Sequence, residues 1–397
     1  MEDKEIEELS EIKSNIKKYI ISSKKYNIEE NNLEIELIKI GGYSNMNYKA
    51  IIKNIIKGDI IEQIFYRKFC SKFASLSDSI NHDLESKITK YLAEKGYGPK
   101  LLYEDSNNYT ISEFLVDTIT LPLEKCFDKN ILEQLISILN YFISFSNSYN
   151  YKINENTNVL SLLKNNSKEK DINFTKNQFQ KSFDIYEKTK SSFKVFVDEF
   201  KKKYSEEKNA KEWAKVELVQ NYLDNFRNYF YLNYPSKGFL VLNHNDVFRF
   251  NILLREKENK IFLIDHEYFS LNLPGYDIAY YFIEYYITYE PEYFCDFEAI
   301  DFEKLFYFYE KFILKFINEH DYLEKEEEGK NFIELIKTKK YFIQLINTIN
   351  LYMFVWSIGN VDFKKWEKEP KKEFFFVHGV DRIKFYLKGM DIINHLK

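Results

Sequence analysis

The 397 residues carry 62 acidic against 57 basic side chains, a net charge of -5, so the chain is long enough for one large domain or two lobes and lacks the basic excess of a nucleic-acid binder. Aromatic residues reach 18%, with 32 Tyr and 36 Phe against only 11 Gly and 6 Pro, which excludes a disordered chain and points to a globular, helix-rich one. Three cysteines, Cys70, Cys126 and Cys295, are too few and too scattered for a disulfide framework or a zinc cluster, and they fit a reducing compartment.

In chain order, residues 4–24 mix charges with Ile and Leu at helical spacing and predict an amphipathic helix on a domain surface. The start is charged from its second residue and has no apolar core, so a secretory leader is not expected and a cytoplasmic protein is. Leu33–Ile40 alternates as a strand does, and GGYSNMNYKAIIK follows at once. Two glycines between strands make a tight turn; such a turn is either a plain hairpin or a cradle whose backbone N–H groups approach phosphates. A third strand spans Ile60–Phe69 and carries Arg67, and a helix follows with Glu85. Helical periodicity resumes over Pro122–Tyr149, gives way to an Asn-, Lys- and Ser-rich loop over 150–173, and returns over Phe174–Leu232 as two helices broken near 204–209. Further helices are predicted at 301–319, 330–361 and 372–396. Tyr341–Val361 has no charged residue, but Gln344, Asn347, Thr348, Asn350 and Asn360 argue for a buried core helix over a membrane span.

The chemistry concentrates in VLNHNDVFRFNILLREKENKIFLIDHEYFSLNLPGYDIAYYFIE, Val241–Glu284. LVLN and IFLI read as short strands, which puts His244, Asp246 and Asn251 after one and Asp265 after the next. Phosphoryl transfer needs a carboxylate near the attacking hydroxyl and hard oxygen ligands for magnesium. Asp246 fits the first role, and Asn251, five residues on, with Asp265, nineteen on, fits the second. His244 and His266 read as structural.

HNDVFRFN followed by IDHEY and PGYDIAYYFIE resembles the choline/ethanolamine kinase family, and more loosely the aminoglycoside phosphotransferases and the protein-kinase-like superfamily. GGYSNMNY is similar to that family's nucleotide loop and GYGPKLLY to its GPKL turn; the resemblance covers about residues 35–360. It implies an α+β, two-lobed protein-kinase-like fold, with a small antiparallel-sheet N-lobe at 1–115 and a large, mainly helical C-lobe at 116–397. It also implies that Gly41, Gly42, Ser44, Asn45 and Asn47 cover the ATP phosphates, that Arg67 and Glu85 organise them, and that the backbone of Glu113, Phe114 and Leu115 meets adenine.

By the same resemblance Asp277 anchors the catalytic loop, and Tyr268, Glu284, Tyr289 and Trp356 hold the acceptor amine, a carboxylate and ring faces being what an alkylammonium requires. The implied reaction is ATP- and magnesium-dependent phosphorylation of choline or ethanolamine, opening phospholipid synthesis. The alternatives are a kinase for another aminoalcohol or an aminoglycoside, or a non-catalytic nucleotide-binding homologue. Family members often form homodimers, so a homodimer is an expectation here, with no interface legible. The chain departs from the family at Phe248, Arg249 and Phe250, commonly Gln-Glu-Gly, at His266, commonly Phe, and at Met353, where one Trp of a Trp-x-x-Trp pair is replaced.

Overall fold

A computed structural model describes residues 2–26, 28–41, 45–69, 82–105, 108–148, 178–204, 206–233, 240–289, 292–319, 327–362 and 373–396. The predicted 150–173 loop, Gly42, Ser44 and Cys70 lie outside them. The chain forms two compact units, Met1–Thr120 with Ile252–Glu267, and Leu121–Asn251 with Tyr268–Lys397.

The first unit is built on an antiparallel sheet of β1 (Leu33–Ile40), β2 (Asn45–Asn54), β3 (Ile60–Phe69), β4 (Leu101–Asp105) and β5 (Tyr109–Glu113), in the order β1-β2-β3-β5-β4. Alternation in β1 and β2 sends Leu33, Ile35, Tyr48, Ala50 and Ile52 to one face. On that face lies α1 (Glu2–Ser22), whose Ile12, Ile16 and Ile20 recur every four residues and are buried with Ile64, Tyr66 and Ile111. Register sets Asn47 opposite both Ile40 and Arg67, which brings the end of the glycine loop beside the basic residue of β3. α2 (His82–Glu94) buries Leu84, Ile88 and Leu92 and carries Glu85.

Residues 252–267 were assigned by sequence order to the C-terminal lobe, but they pack with the first unit. β8 (Ile252–Arg255) pairs with β6 (Ile119–Thr120) and with β9 (Lys260–Leu263), and the Leu263 N–H donates to the Tyr97 carbonyl at 2.9 Å. Backbone pairing across about 130 residues of sequence, invisible to local pattern, decides the membership.

The second unit is mainly helical: α3 (Lys129–Ser148), α4 (Gln178–Lys203), α5 (Glu206–Asn233), α6 (Tyr276–Glu284), α7 (Phe302–Glu319), α8 (Glu327–Ile336), α9 (Lys339–Gly359) and α10 (Phe374–His395). Two strands, β7 (Val241–Asn243) and β10 (Ser270–Asn272), pair antiparallel ahead of α6; β11 (Ile287–Thr288) and β12 (Phe294–Cys295) form a second short pair. The single helix expected over 330–361 is two: Thr338 caps α9 by accepting the Tyr341 N–H at 3.1 Å, ending one helix and starting another. α9 is long and apolar enough to cross a membrane, but 83% of its apolar window is buried inside the protein. It packs against α4, α5, α6 and α10. Its approach to α10 is close enough that a side chain at Gly379 would sit 2.7 Å from Ile358 Cδ1.

Because Ile16 is fully buried against the sheet while Ile6 is 65% exposed, Ile16→Ala is expected to cost about 2–5 kcal/mol and Ile6→Ala almost nothing. Urea-unfolding midpoints of the two variants check this.

Candidate active site

In the second unit, the β7–β10 pair launches His244–Asn251 as a loop. Asn245 takes a left-handed conformation, φ 68°, and locks it. Its amide donates to the Asn243 and Tyr268 carbonyls at 3.1 and 2.9 Å and to Ser270 Oγ at 2.9 Å, while its oxygen accepts from Asn272 at 2.7 Å. Asp277, in the first turn of α6, accepts the backbone N–H groups of His244 at 2.7 Å and Asn245 at 2.8 Å. His244 itself is fully buried, its ring 6.4 Å from that of Phe142. The loop therefore hangs on one carboxylate.

Asp246 follows. It accepts from the Asn251 amide at 2.8 Å and from the Tyr280 hydroxyl at 3.1 Å. Tyr280 OH also lies 3.7 Å from Met353 Sδ, so the methionine that replaces a family tryptophan sits one side chain away from Asp246. The turn closes through Phe248 N–H to Asp246 O at 3.1 Å and Asn251 N–H to Phe248 O at 2.9 Å. Tyr280 was not legible in the sequence, being one of 32 tyrosines on an apolar helix.

The residues expected on the acceptor side adopt an arrangement that the sequence did not indicate. Glu284 closes α6 with both oxygens engaged, Oε2 by the Tyr289 hydroxyl at 2.5 Å and Oε1 by Arg382. Arg382, on α10, is wholly buried, and burial works against its charge; Glu284 and neighbouring hydroxyls outweigh that and hold it cationic. It also donates to Asn350 Oδ1 at 3.3 Å and to His378 Nε2 at 3.1 Å. Because His378 Nε2 accepts, its Nδ1–H donates to Ser357 Oγ at 2.5 Å, and Ser357 in turn donates to the Met353 carbonyl at 2.7 Å. Burial, then Arg382, pushes His378 well below the ordinary histidine range, so it is neutral. Glu284 is thus balanced inside the protein and is not an open counter-ion for an amine. Trp356, half-buried on α9, meets the Phe375 ring at 5.6 Å. Tyr268, also half-buried, gives its carbonyl to the Asn245 lock.

The first unit holds the nucleotide-side candidates. Arg67 donates to Glu85 at 2.6 Å and to Asp265 at 2.5 Å. Burial disfavours its charge, but Asp265, Glu85 and Glu267 raise its pKa overall. Asp265 stands at φ 67°, a second left-handed residue at a candidate catalytic position. Asn45 donates to Glu267 at 2.7 Å and Asn47 to the Gly41 carbonyl at 3.3 Å, which ties the ends of the glycine loop. The N–H groups of Glu113 and Phe114 bond to Lys100 O and Gln63 O, whereas that of Leu115 has no hydrogen bond among the described residues.

Burial raises the Asp277 carboxyl to about 7 from its ordinary 3.8, while the two N–H donors pull it down. A raised acid contributes its full stability below its unfolded value and loses it as pH climbs toward the folded one. Asp277→Asn should therefore be less stable than the parent, by about 1–3 kcal/mol near pH 4 for the lost buried acceptor, with the gap narrowing toward pH 7. Thermal midpoints across that range check the slope; a constant gap would mean that Asp277 is ionised throughout.

Known proteins give this geometry its setting. The fold is similar to that of the choline kinase from Cryptosporidium parvum, with a TM-score of 0.60 and 17% identity over 98% of this chain and 96% of that one. It is also similar to the Plasmodium vivax ethanolamine kinase, with a TM-score of 0.51 and 19% identity over 90% of this chain and 83% of that one. These likenesses establish the protein-kinase-like α+β fold, a small antiparallel-sheet part and a mainly helical part. A 46-residue stretch is 46% identical to a probable ethanolamine kinase of Arabidopsis thaliana, but spans only 12% of each protein. The family profile of choline/ethanolamine kinases matches residues 35–387, well over half of the sequence, and the chain belongs to that family.

Proposed function

We propose that the protein transfers the terminal phosphoryl group of ATP to the hydroxyl of choline or ethanolamine, the first step toward phosphatidylcholine or phosphatidylethanolamine. The observation that carries this reading is the posture of Asp246: its carboxylate is aimed by Asn251 and Tyr280 on a loop fixed by Asp277. A held carboxylate accepts the proton of the acceptor hydroxyl as the new oxygen–phosphorus bond forms and the bond to ADP breaks. Tyr280 steadies the carboxylate.

Asn251 turns its amide N–H group to Asp246, which leaves its oxygen for a cation, and Asp265 gives one oxygen to Arg67 and keeps a second. Asn251 immediately precedes β8 and Asp265 stands two residues past β9, in a hairpin where Ile252 pairs with Leu263. Hard oxygen donors of this kind fit magnesium. When bound, the ion neutralises phosphate charge. Arg67, oriented by Glu85, and the loop with Gly41, Gly42, Ser44, Asn45 and Asn47 position the phosphates, and the Leu115 N–H is available to adenine. Tyr289 and Trp356 line the acceptor side with Tyr268, while Glu284 acts through Tyr289 as a positioning residue. The free thiols of Cys126 and Cys295 suit work in the cytoplasm.

ATP consumption with magnesium and either amine tests the assignment. Asp246→Ala should lower kcat by roughly 10²–10⁴-fold with little change in the KM for ATP. Tyr280→Phe should lower it by only about three- to tenfold, for one lost hydrogen bond. Undiminished turnover in Asp246→Ala would remove that residue from the chemistry.

A further inference from the structure

Three of the chain's departures from its family stand together in the folded protein. Phe248 and Phe250, on the loop between Asp246 and Asn251, lie with ring centroids 5.6 Å apart, and each reaches the Tyr289 ring at 6.3 Å. Tyr289 continues to Phe374 at 5.9 Å, Phe374 to Phe375 at 5.0 Å, and Phe375 to Trp356 at 5.6 Å. The six rings form a continuous wall, and all six are half-buried, neither core nor open surface. Phe250 already takes a cation at contact distance, the Arg249 guanidinium centred 3.9 Å from its ring.

The charges beside the wall bear on what it can hold. A primary ammonium brings three N–H donors and a tight hydration shell, so it needs acceptors in exchange. The carboxylate bonded to the wall's Tyr289, that of Glu284, has its other oxygen on Arg382. His378, against Tyr289 and Phe374, has both nitrogens engaged, by Arg382 and Ser357. A trimethylammonium group has no N–H to satisfy and is held by ring faces alone. Met353 removes a ring from α9, and Phe248 and Phe250 supply two from the catalytic loop.

We propose that Phe248 and Phe250 are specificity-determining residues that complete an aromatic wall for a methylated ammonium, so that the preferred acceptor is choline rather than ethanolamine. This rests on the aminoalcohol-kinase reading above. The test has two arms, each with the full chain. In the first, kcat/KM is measured for ethanolamine, its monomethyl and dimethyl derivatives, and choline, in the parent and in Phe248→Leu and Phe250→Leu, which keep bulk and remove the ring.

Catalytic efficiency should rise with each methyl in the parent, and either leucine variant should lose roughly tenfold on choline, the value of one cation–ring contact, while changing less than about threefold on ethanolamine. Phe250→Tyr should restore the slope. In the second arm, tetramethylammonium, which has no hydroxyl to phosphorylate, is titrated calorimetrically, and its affinity should fall in both leucine variants.

Efficiency that falls with methylation, or equal losses on all four amines, would overturn the proposal, as would tetramethylammonium binding that ignores both substitutions. Ring-dependent tetramethylammonium binding without turnover of any amine would sink the kinase reading and leave the cation wall standing; neither binding nor turnover would sink both.

Discussion

Two backbone N–H groups on one buried carboxylate set the geometry on which the aim of Asp246 depends. Asp277 reaches from the first turn of α6 to His244 and Asn245, the two residues before Asp246. A chain leaving a strand in a left-handed turn has N–H groups pointing away from any ladder, and buried donors without acceptors are costly. Satisfying both with one side chain removes the loop's freedom to refold. Everything downstream, the aim of Asp246, the seat of Asn251 and the presentation of Phe248 and Phe250, inherits that fixed origin.

A second network, around Arg382, is organised by the same logic, with charge added. Arg382, Glu284, Tyr289, His378 and Asn350 come from three helices and a turn, and each polar atom of the guanidinium contact set finds a partner. A buried ion pair of this kind adds little net stability but makes every alternative arrangement expensive, since a broken pair strands a charge. Its effect is to fix Tyr289, and through it the rings on either side.

The Asp246, Asn251 and Asp265 pattern was legible because it is local: short apolar runs terminate at polar residues, and spacing alone orders them. The same holds for β1 to β3. Arg382 was illegible because its partner stands 98 residues earlier and nothing near it marks a buried charge; HGVDRIK reads as a helix with a polar stripe. Glu284 was seen, but its counter-ion was not, so it was read as a ligand for the substrate's charge when it answers one of the protein's own. The 252–267 hairpin was recognised as a hairpin and misplaced, since β6, which pairs with β8, is only two residues long. The break before α9 was marked by Thr338, whose capping role shows only once the Tyr341 N–H is seen to need it.

His378 offers one more consequence. Its Nε2 faces a guanidinium and its Nδ1 proton is committed to Ser357, so the ring has no vacancy for a second proton without expelling Arg382. The imidazole packed against Tyr289 and Phe374 is therefore no sensor of acidity, and it holds those two rings from the same side whether the surrounding solution is acid or neutral.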